Sequence, residues 1–440
     1  MSLLLIFAII VILAIFPAFF FKKRFGIQTT GPLCFWRTHK GLRLLDRLAQ
    51  HRRFWIALAE LGFIFAFGVF GAIYLFITQA KTRLQKKRYL IGILIGYAIF
   101  VLCAIAIVIP QILLGQSVAA PAYILAALFI GGFGLFTLSF LVGHAVTILS
   151  NYVTGVVPTP GIQPILPGVE IPGAPIFVPL HALISLVIII IVHELAHGIL
   201  ARAQKLRVKS FGLLTVGIFP VGAFTEPDEE QLKQVEQHKR LRVFTAGSMS
   251  NFMWGFIFLA FFLPLSMNLQ PGLNEEWVDN IDFLIVQNIT PGSPAEIAGI
   301  TAGIKIHNAK DVYYGQVPGK TVTLVTDQGN IDVVRDSNGL IGISRIETHE
   351  KGPLSFGYWS IRYSLEILWW TALLNFVIGY VNFMPLAGFD GGQIFNEMVL
   401  SWQWKKHPKR KKKVVPTKAL KIVSIFIVAV IVINILPYFF

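Results

Sequence analysis

His193-Glu194-Leu195-Ala196-His197 sets two imidazoles four residues apart, with a carboxylate beside the first. On a helix, positions i and i+4 share one face about 5–6 Å apart, so both rings can address a single ion. Zinc suits such a pair, because it takes neutral His nitrogens at about 2.0–2.1 Å. Glu194 then stands next to water polarised by that ion and can accept its proton, which is the chemistry of metal-assisted hydrolysis. A five-residue match alone also arises by chance. Here it sits inside the apolar run that begins at His181, and ionisable groups at such depth default to a functional reading.

Two ligands do not complete a catalytic zinc site, which needs a third protein ligand and a fourth position for water. Asp390 is the candidate, and Gly391 and Gly392 after it are expected to let the backbone turn close to the metal. It falls at the inner end of its apolar run, and His193 and His197 lie toward the inner half of theirs. The depths therefore agree.

The elements that must hold these residues are membrane helices. The chain has 440 residues, 55% of them hydrophobic, and a mean hydropathy of +0.67. Apolar runs long enough to span a bilayer recur at 2–21, 54–79, 89–115, 122–149, 178–203, 243–268, 361–385 and 419–438. The expected fold is a polytopic α-helical membrane protein of about eight transmembrane helices. The formal net charge of +15 does not point to nucleic acid. Its Lys and Arg residues flank apolar runs in short loops, as the positive-inside rule requires, and the lipid bilayer with its anionic headgroups is their expected partner. Cys34 and Cys103 lie far apart, so neither a disulfide framework nor a cysteine zinc site is expected. No cleavage-site pattern follows the first apolar run, which reads as a retained anchor.

In order, residues 1–150 hold about four spans and 151–177 a non-cytoplasmic Pro/Gly loop. Residues 178–268 form the first part of a catalytic core, with a broken apolar stretch at 210–225 that reads as a membrane-associated hairpin. Residues 270–360 form a soluble island, 361–400 the second part of the core, 401–418 a basic cytoplasmic loop and 419–440 the last span. Within the island, Phe283–Asn288 reads as a strand, Pro291-Gly-Ser-Pro-Ala295 as a turn into a short helix, and 321–334 as a hairpin. Eight spans put the basic loop 80–88 outside, against the charge rule. Either an early run is re-entrant or an extra half-span, or the charge bias is overridden there. Glu60 is expected to pair or snorkel near an interface.

With these residues in place the chain resembles the site-2 protease family of intramembrane zinc metalloproteases. The matching pieces are His193-Glu194-x-x-His197 in one span and Asn382-x-x-Pro385-x-x-x-x-Asp390-Gly391 in a later one. Between them lies a PDZ-like island with Pro291-Gly-Ser-Pro-Ala and Ala298-Gly-Ile fragments. The resemblance covers about 175–400. It implies zinc held by His193, His197 and Asp390, with Glu194 as the general base. It also implies that Asn251, which ends a small-residue motif beginning at Gly247, and Asn382 lie near the substrate or its oxyanion. The substrates it implies are transmembrane proteins or peptides, cut in regulated intramembrane proteolysis. The implied site is a multi-pass cell-membrane setting, with the active site toward the cytoplasmic half and the PDZ-like domain outside. Phe389 stands where Leu is usual in the family, Ser248 where Pro is common, and Ile304 where the island usually has Asp. Two other classes compete. A catalytically silent scaffold binding partners through the island would not need the intact ligand and base positions. A transporter would be expected to show paired repeats with broken helices.

Overall fold

The computed structural model describes residues 27–30, 33–39, 41–79, 82–113, 119–163, 166–171, 176–216, 219–406 and 416–439; the run expected at 2–21 lies outside them. The chain forms two compact units, one of Met1–Phe258 with Trp370–Phe440 and one of Leu259–Trp369. Among the described residues six helices are long and apolar enough to cross a membrane: Arg52–Thr78, Leu128–Thr154, Ala182–Ala203, Gln237–Asp279, Phe356–Asn382 and Lys418–Tyr438. The run expected at 89–115 lies in a helix, Arg83–Leu113, outside that set.

The helix Arg52–Gln79 is not straight. Gly68 breaks it at φ 54°, ψ −131°, a conformation that L side chains rarely adopt. Beyond the break the chain folds back along itself. A Cβ on Gly71 would lie 2.2 Å from the Phe63 carbonyl oxygen, and the Phe63 and Tyr74 rings stack at 5.8 Å. A straight helix would hold residues eight apart about 12 Å from each other. The second run is thus a pair of half-helices. Both of its ends lie on one side, with the start of Arg83–Leu113 beside them: Tyr89 donates to Glu60, which also pairs with Arg242. From Arg83 on, the stretch expected as a basic loop is already the first turns of that next helix. The helix Ala119–Thr154 is broken in the same way at Gly132, φ 64°. The two breaks meet backbone to backbone. A Cβ on Gly132 would lie 2.4 Å from the Phe65 oxygen, and one on Gly68 2.5 Å from the Phe129 oxygen.

The same unit carries a four-stranded antiparallel sheet, β1 (Gln28–Thr30), β2 (Leu33–Thr38), β3 (Val208–Val216) and β4 (Phe219–Pro227), in that spatial order. β3 and β4 are the apolar hairpin. β2 joins it from the segment ahead of the second apolar run, in register from Leu33 opposite Val216 to Thr38 opposite Phe211. Gly212 makes this possible, since a Cβ there would fall 2.0 Å from the Trp36 oxygen. β4 is the end strand of the sheet.

Helix Ala182–Ala203 ends in a left-handed cap. Lys205 sits at φ 64°, Leu206 N donates to Ala201 O, and Lys205 N donates to Arg202 O. That turn sends the chain from the helix directly into β3.

The second unit is built on a five-stranded sheet in the order β8-β7-β6-β5-β9: Gly329–Val334, Thr321–Thr326, Lys305–Ile306, Ile281–Ile289 and Ile343–Glu350. Its core gathers Leu284, Val286, Ile300, Ile304, Ile306, Leu324 and Val333. Ile304, where the family usually has Asp, is a core side chain. Ser293 caps the short helix Pro294–Ile297 by accepting from Glu296 N.

Candidate metal centre

Helix Ala182–Ala203 presents His193 and His197 on one face, and helix Asp390–Lys406 brings its first residue to meet them. The two Nε2 atoms are 3.2 Å apart. Asp390 places Oδ2 3.6 Å from His193 Nε2 and Oδ1 3.4 Å from His197 Nε2. A tetrahedral ion with bonds of about 2.0–2.1 Å sets its ligand atoms about 3.3–3.4 Å apart. The three gaps fit that spacing, and the three residues form a possible metal site. The tautomer of His197 agrees. Its Nδ1 lies 2.7 Å from the Val243 carbonyl oxygen, which can only accept, so Nδ1 carries the proton and Nε2 offers its lone pair.

The neighbouring helix Gln237–Asp279 supplies what holds these donors. Gly247 lies against both rings: a Cβ there would sit 2.4 Å from His197 Nε2 and 2.5 Å from His193 Nε2. Only a residue without a side chain leaves room for the donors and an ion. The close approach expected of Gly391 and Gly392 therefore belongs to Gly247. Those two glycines serve a different contact, since Cβ atoms on them would lie 2.0 Å from the Phe383 and Leu386 oxygens. They seat the start of the Asp390 helix on the turn before it. Ser248 fixes the carboxylate, with Oγ donating to Asp390 Oδ2 at 2.7 Å and N donating to the same oxygen at 3.1 Å.

Glu194 is held by β4. Thr225 N donates to Glu194 Oε2 at 2.9 Å, and Thr225 Oγ1 donates to the Glu194 carbonyl at 2.6 Å. One Oε1 remains for other chemistry. His193, Glu194, His197, Thr225, Asn382 and Asp390 all line one cavity of about 420 Å³. Asn382 is thus in the wall. Asn251 is fully buried beside the His193 ring and is not among the cavity-lining residues.

Gly247, Ser248 and Thr225 were not singled out as site residues by sequence reasoning. The first two belong to the small-residue motif that ends at Asn251, and Ser248 is visible there only as a departure from Pro. Thr225 had no local signal, because its role depends on a strand meeting a helix 31 residues away.

A model of Peptidase family M50 matches residues 181–430. An uncharacterized protein of Methanocaldococcus jannaschii is 27% identical over 272 residues, covering 60% of this chain and 67% of the relative. A protein of Thermotoga maritima named "Putative zinc metalloprotease" is 27% identical over 154 residues, 28% of each chain. One of Clostridium perfringens with the same description is 22% identical over 304 residues, covering 50% of this chain and 87% of the relative. The family match takes in both histidines, Glu194, Asp390 and more than half of the chain, which belongs to peptidase family M50, the site-2 protease family.

Proposed function

We propose that this chain is a zinc-dependent intramembrane endopeptidase that cleaves transmembrane segments of membrane proteins in regulated intramembrane proteolysis. One observation carries the reading. His193, His197 and Asp390 converge at ion-binding spacing in a cavity that also holds Glu194, and the histidines sit on a helix apolar enough to cross a membrane. Relatives named for zinc support the choice of metal.

Bound zinc supplies a Lewis acid that acidifies water and polarises the scissile carbonyl. Glu194 accepts the proton of the attacking water and passes it to the leaving amine. Thr225 orients that carboxylate by holding Oε2. Asn382, in the cavity wall, is assigned to the carbonyl oxygen of the substrate, and Asn251 to the ground behind His193. Hydrolysis needs an extended backbone, so a substrate helix must unwind near the site. β4, the end strand of its sheet and bonded to Glu194, is suited to pair with it by β-augmentation. The basic stretches 22–53, 80–88 and 204–242 are assigned to the cytoplasmic side. The 270–360 island is assigned, as a PDZ-like module, to the outside.

The test is zinc per chain on purified full-length protein, together with cleavage of a transmembrane peptide in vesicles. About one zinc is expected in wild type, lost in His197→Ala and Asp390→Asn and kept in Glu194→Gln, which should cleave nothing. Substantial cleavage by Glu194→Gln would overturn its role. Absence of zinc from wild type under non-chelating conditions would overturn the function and favour a silent scaffold.

A further inference from the structure

A second cavity, of about 630 Å³, opens between the folded-back helix Arg52–Gln79 and helix Arg83–Leu113. Its walls are aliphatic, with Ile56, Leu61, Ile64, Leu75 and Ile93 among them. Arg53 and Arg88 line it too. Neither guanidinium has an ion pair or hydrogen bond among the described residues. The one carboxylate in the wall, Glu60, is already neutralised by Arg242 and accepts from the Tyr89 hydroxyl at 3.0 Å. The cavity therefore offers two uncommitted cations and an apolar trough. Gly92 lies in its wall with nothing within 4 Å of where a Cβ would be, so the trough is open along that side.

We propose that this cavity is a specific binding site for an anionic phospholipid, its phosphate between Arg53 and Arg88 and an acyl chain along the trough. Charge complementarity selects a phosphate, since guanidinium groups bind phosphate oxygens in paired hydrogen bonds. The aliphatic walls select an amphiphile over a free anion, because water confined there gains few partners. Arg53 is the second residue of its apolar helix and Arg88 the sixth of its own, so both stand near helix starts, where a span would meet headgroups. The site also touches the metal centre through covalent neighbours: Arg242, which holds Glu60, precedes Val243, whose carbonyl accepts from His197 Nδ1.

The test is native mass spectrometry of the full chain released from vesicles of phosphatidylglycerol and phosphatidylcholine in equal amounts. The expected result is one phosphatidylglycerol retained per wild-type chain, with retention reduced about tenfold both in Arg53→Gln/Arg88→Gln and in Gly92→Phe. The second variant fills the trough and leaves the charge unchanged, and thermal midpoints confirm that both fold. Equal retention in wild type and the two variants would show only the surrounding lipid annulus and overturn the site. Displacement of the lipid by millimolar inorganic phosphate, with Gly92→Phe binding as wild type, would show an anion site without an acyl trough and equally overturn it.

Discussion

Two buried polar clusters join the same pair of helices, Gln237–Asp279 and Asp390–Lys406, and they are built on opposite logic. In the first, Arg240 Nη2 meets Glu397 Oε2 at 2.9 Å, with 5% and 1% of the two side chains exposed. Cation and anion neutralise each other, and Arg240 Nη1 also donates to the Val235 oxygen at 2.6 Å. Two turns along, at Gly247 and Ser248 on one helix and Asp390 on the other, the second cluster brings two imidazoles to a carboxylate. There the Asp390 carboxylate and the His197 Nε2 lone pair face inward as acceptors. The ion pair is neutral without any added group, even though Glu397 Oε1 is buried with no hydrogen-bond partner, whereas converging lone pairs need a cation from outside. Burial and proximity are alike in the two places, so neither marks function by itself. The balance of donors and acceptors does.

Gly247→Ala should break the comparison most completely. The new Cβ would overlap both Nε2 atoms, and those belong to a helix locked by its own packing. Nearly all bound zinc and all cleavage should be lost, while Arg240–Glu397 keeps the two helices together. Metal analysis beside a thermal melt reads both. Retained zinc would show that the histidines can retreat, and that the spacing seen here is not the metal-binding one.

Arg240→Met attacks the other cluster and should do the converse. It leaves Glu397 buried without its partner, which costs about 3–5 kcal/mol. The double variant Arg240→Met/Glu397→Leu should recover most of that, because replacing a buried pair by apolar groups is often close to neutral. Zinc content at low temperature should stay near one per chain in both. If the double variant remained as unstable as the single one, the pair would be serving more than its own neutrality.

Ser248→Ala sharpens the comparison with a smaller change. Asp390 loses the Oγ hydrogen bond and keeps the one from the Ser248 backbone. Loss of a group that orients a ligand carboxylate lowers metal affinity about 10–100-fold. A chelator titration measures this, and rescue by Ser248→Thr would separate the hydrogen bond from a packing effect. Unchanged affinity would assign the orientation of Asp390 to the backbone alone.

The sequence carries His193, Glu194, His197 and Asp390 openly, because zinc chemistry needs those residue types and helix geometry fixes the spacing of the first three. What holds them is carried far less openly. Ser248 is an ordinary small residue until Asp390, 142 positions later, is brought against it. The strand Leu33–Thr38 is invisible locally because its partner β3 lies more than 170 residues on, and it sits within a stretch rich in Arg and Lys. The run 54–79 is a harder case. Length and hydropathy are the same for a straight span and for two half-helices, and one glycine among several carries the break at Gly68. The basic loop 80–88 is the other sign, since its charge conflicts with a plain span there. The long helix Gln237–Asp279 also overran its expected end near 268, passing through Pro264 and Pro271.

A third polar cluster supplies the exposed reference for the two buried ones. On the sheet, Ser210 Oγ donates to Glu226 Oε2 at 2.6 Å, and Arg37 Nε lies 3.4 Å from the same oxygen with both charged side chains over a third exposed. The Ser210 hydroxyl first, then Arg37 and Lys209, hold the Glu226 carboxyl below the usual 4.5. A group whose folded value is lowered contributes stability above its unfolded value and loses it as pH falls through the folded one. The difference in thermal midpoint between wild type and Ser210→Ala should therefore hold constant from neutral pH down to about 5 and shrink in more acid solution. Water screens an exposed pair, so its pH-dependent part should stay under about 1 kcal/mol, below each of the effects above. A larger pH-dependent loss would mean that Glu226 is drier than its exposure suggests. It would also place this cluster with the Arg240 pair, as a lock between β3 and β4 and not a solvated rim.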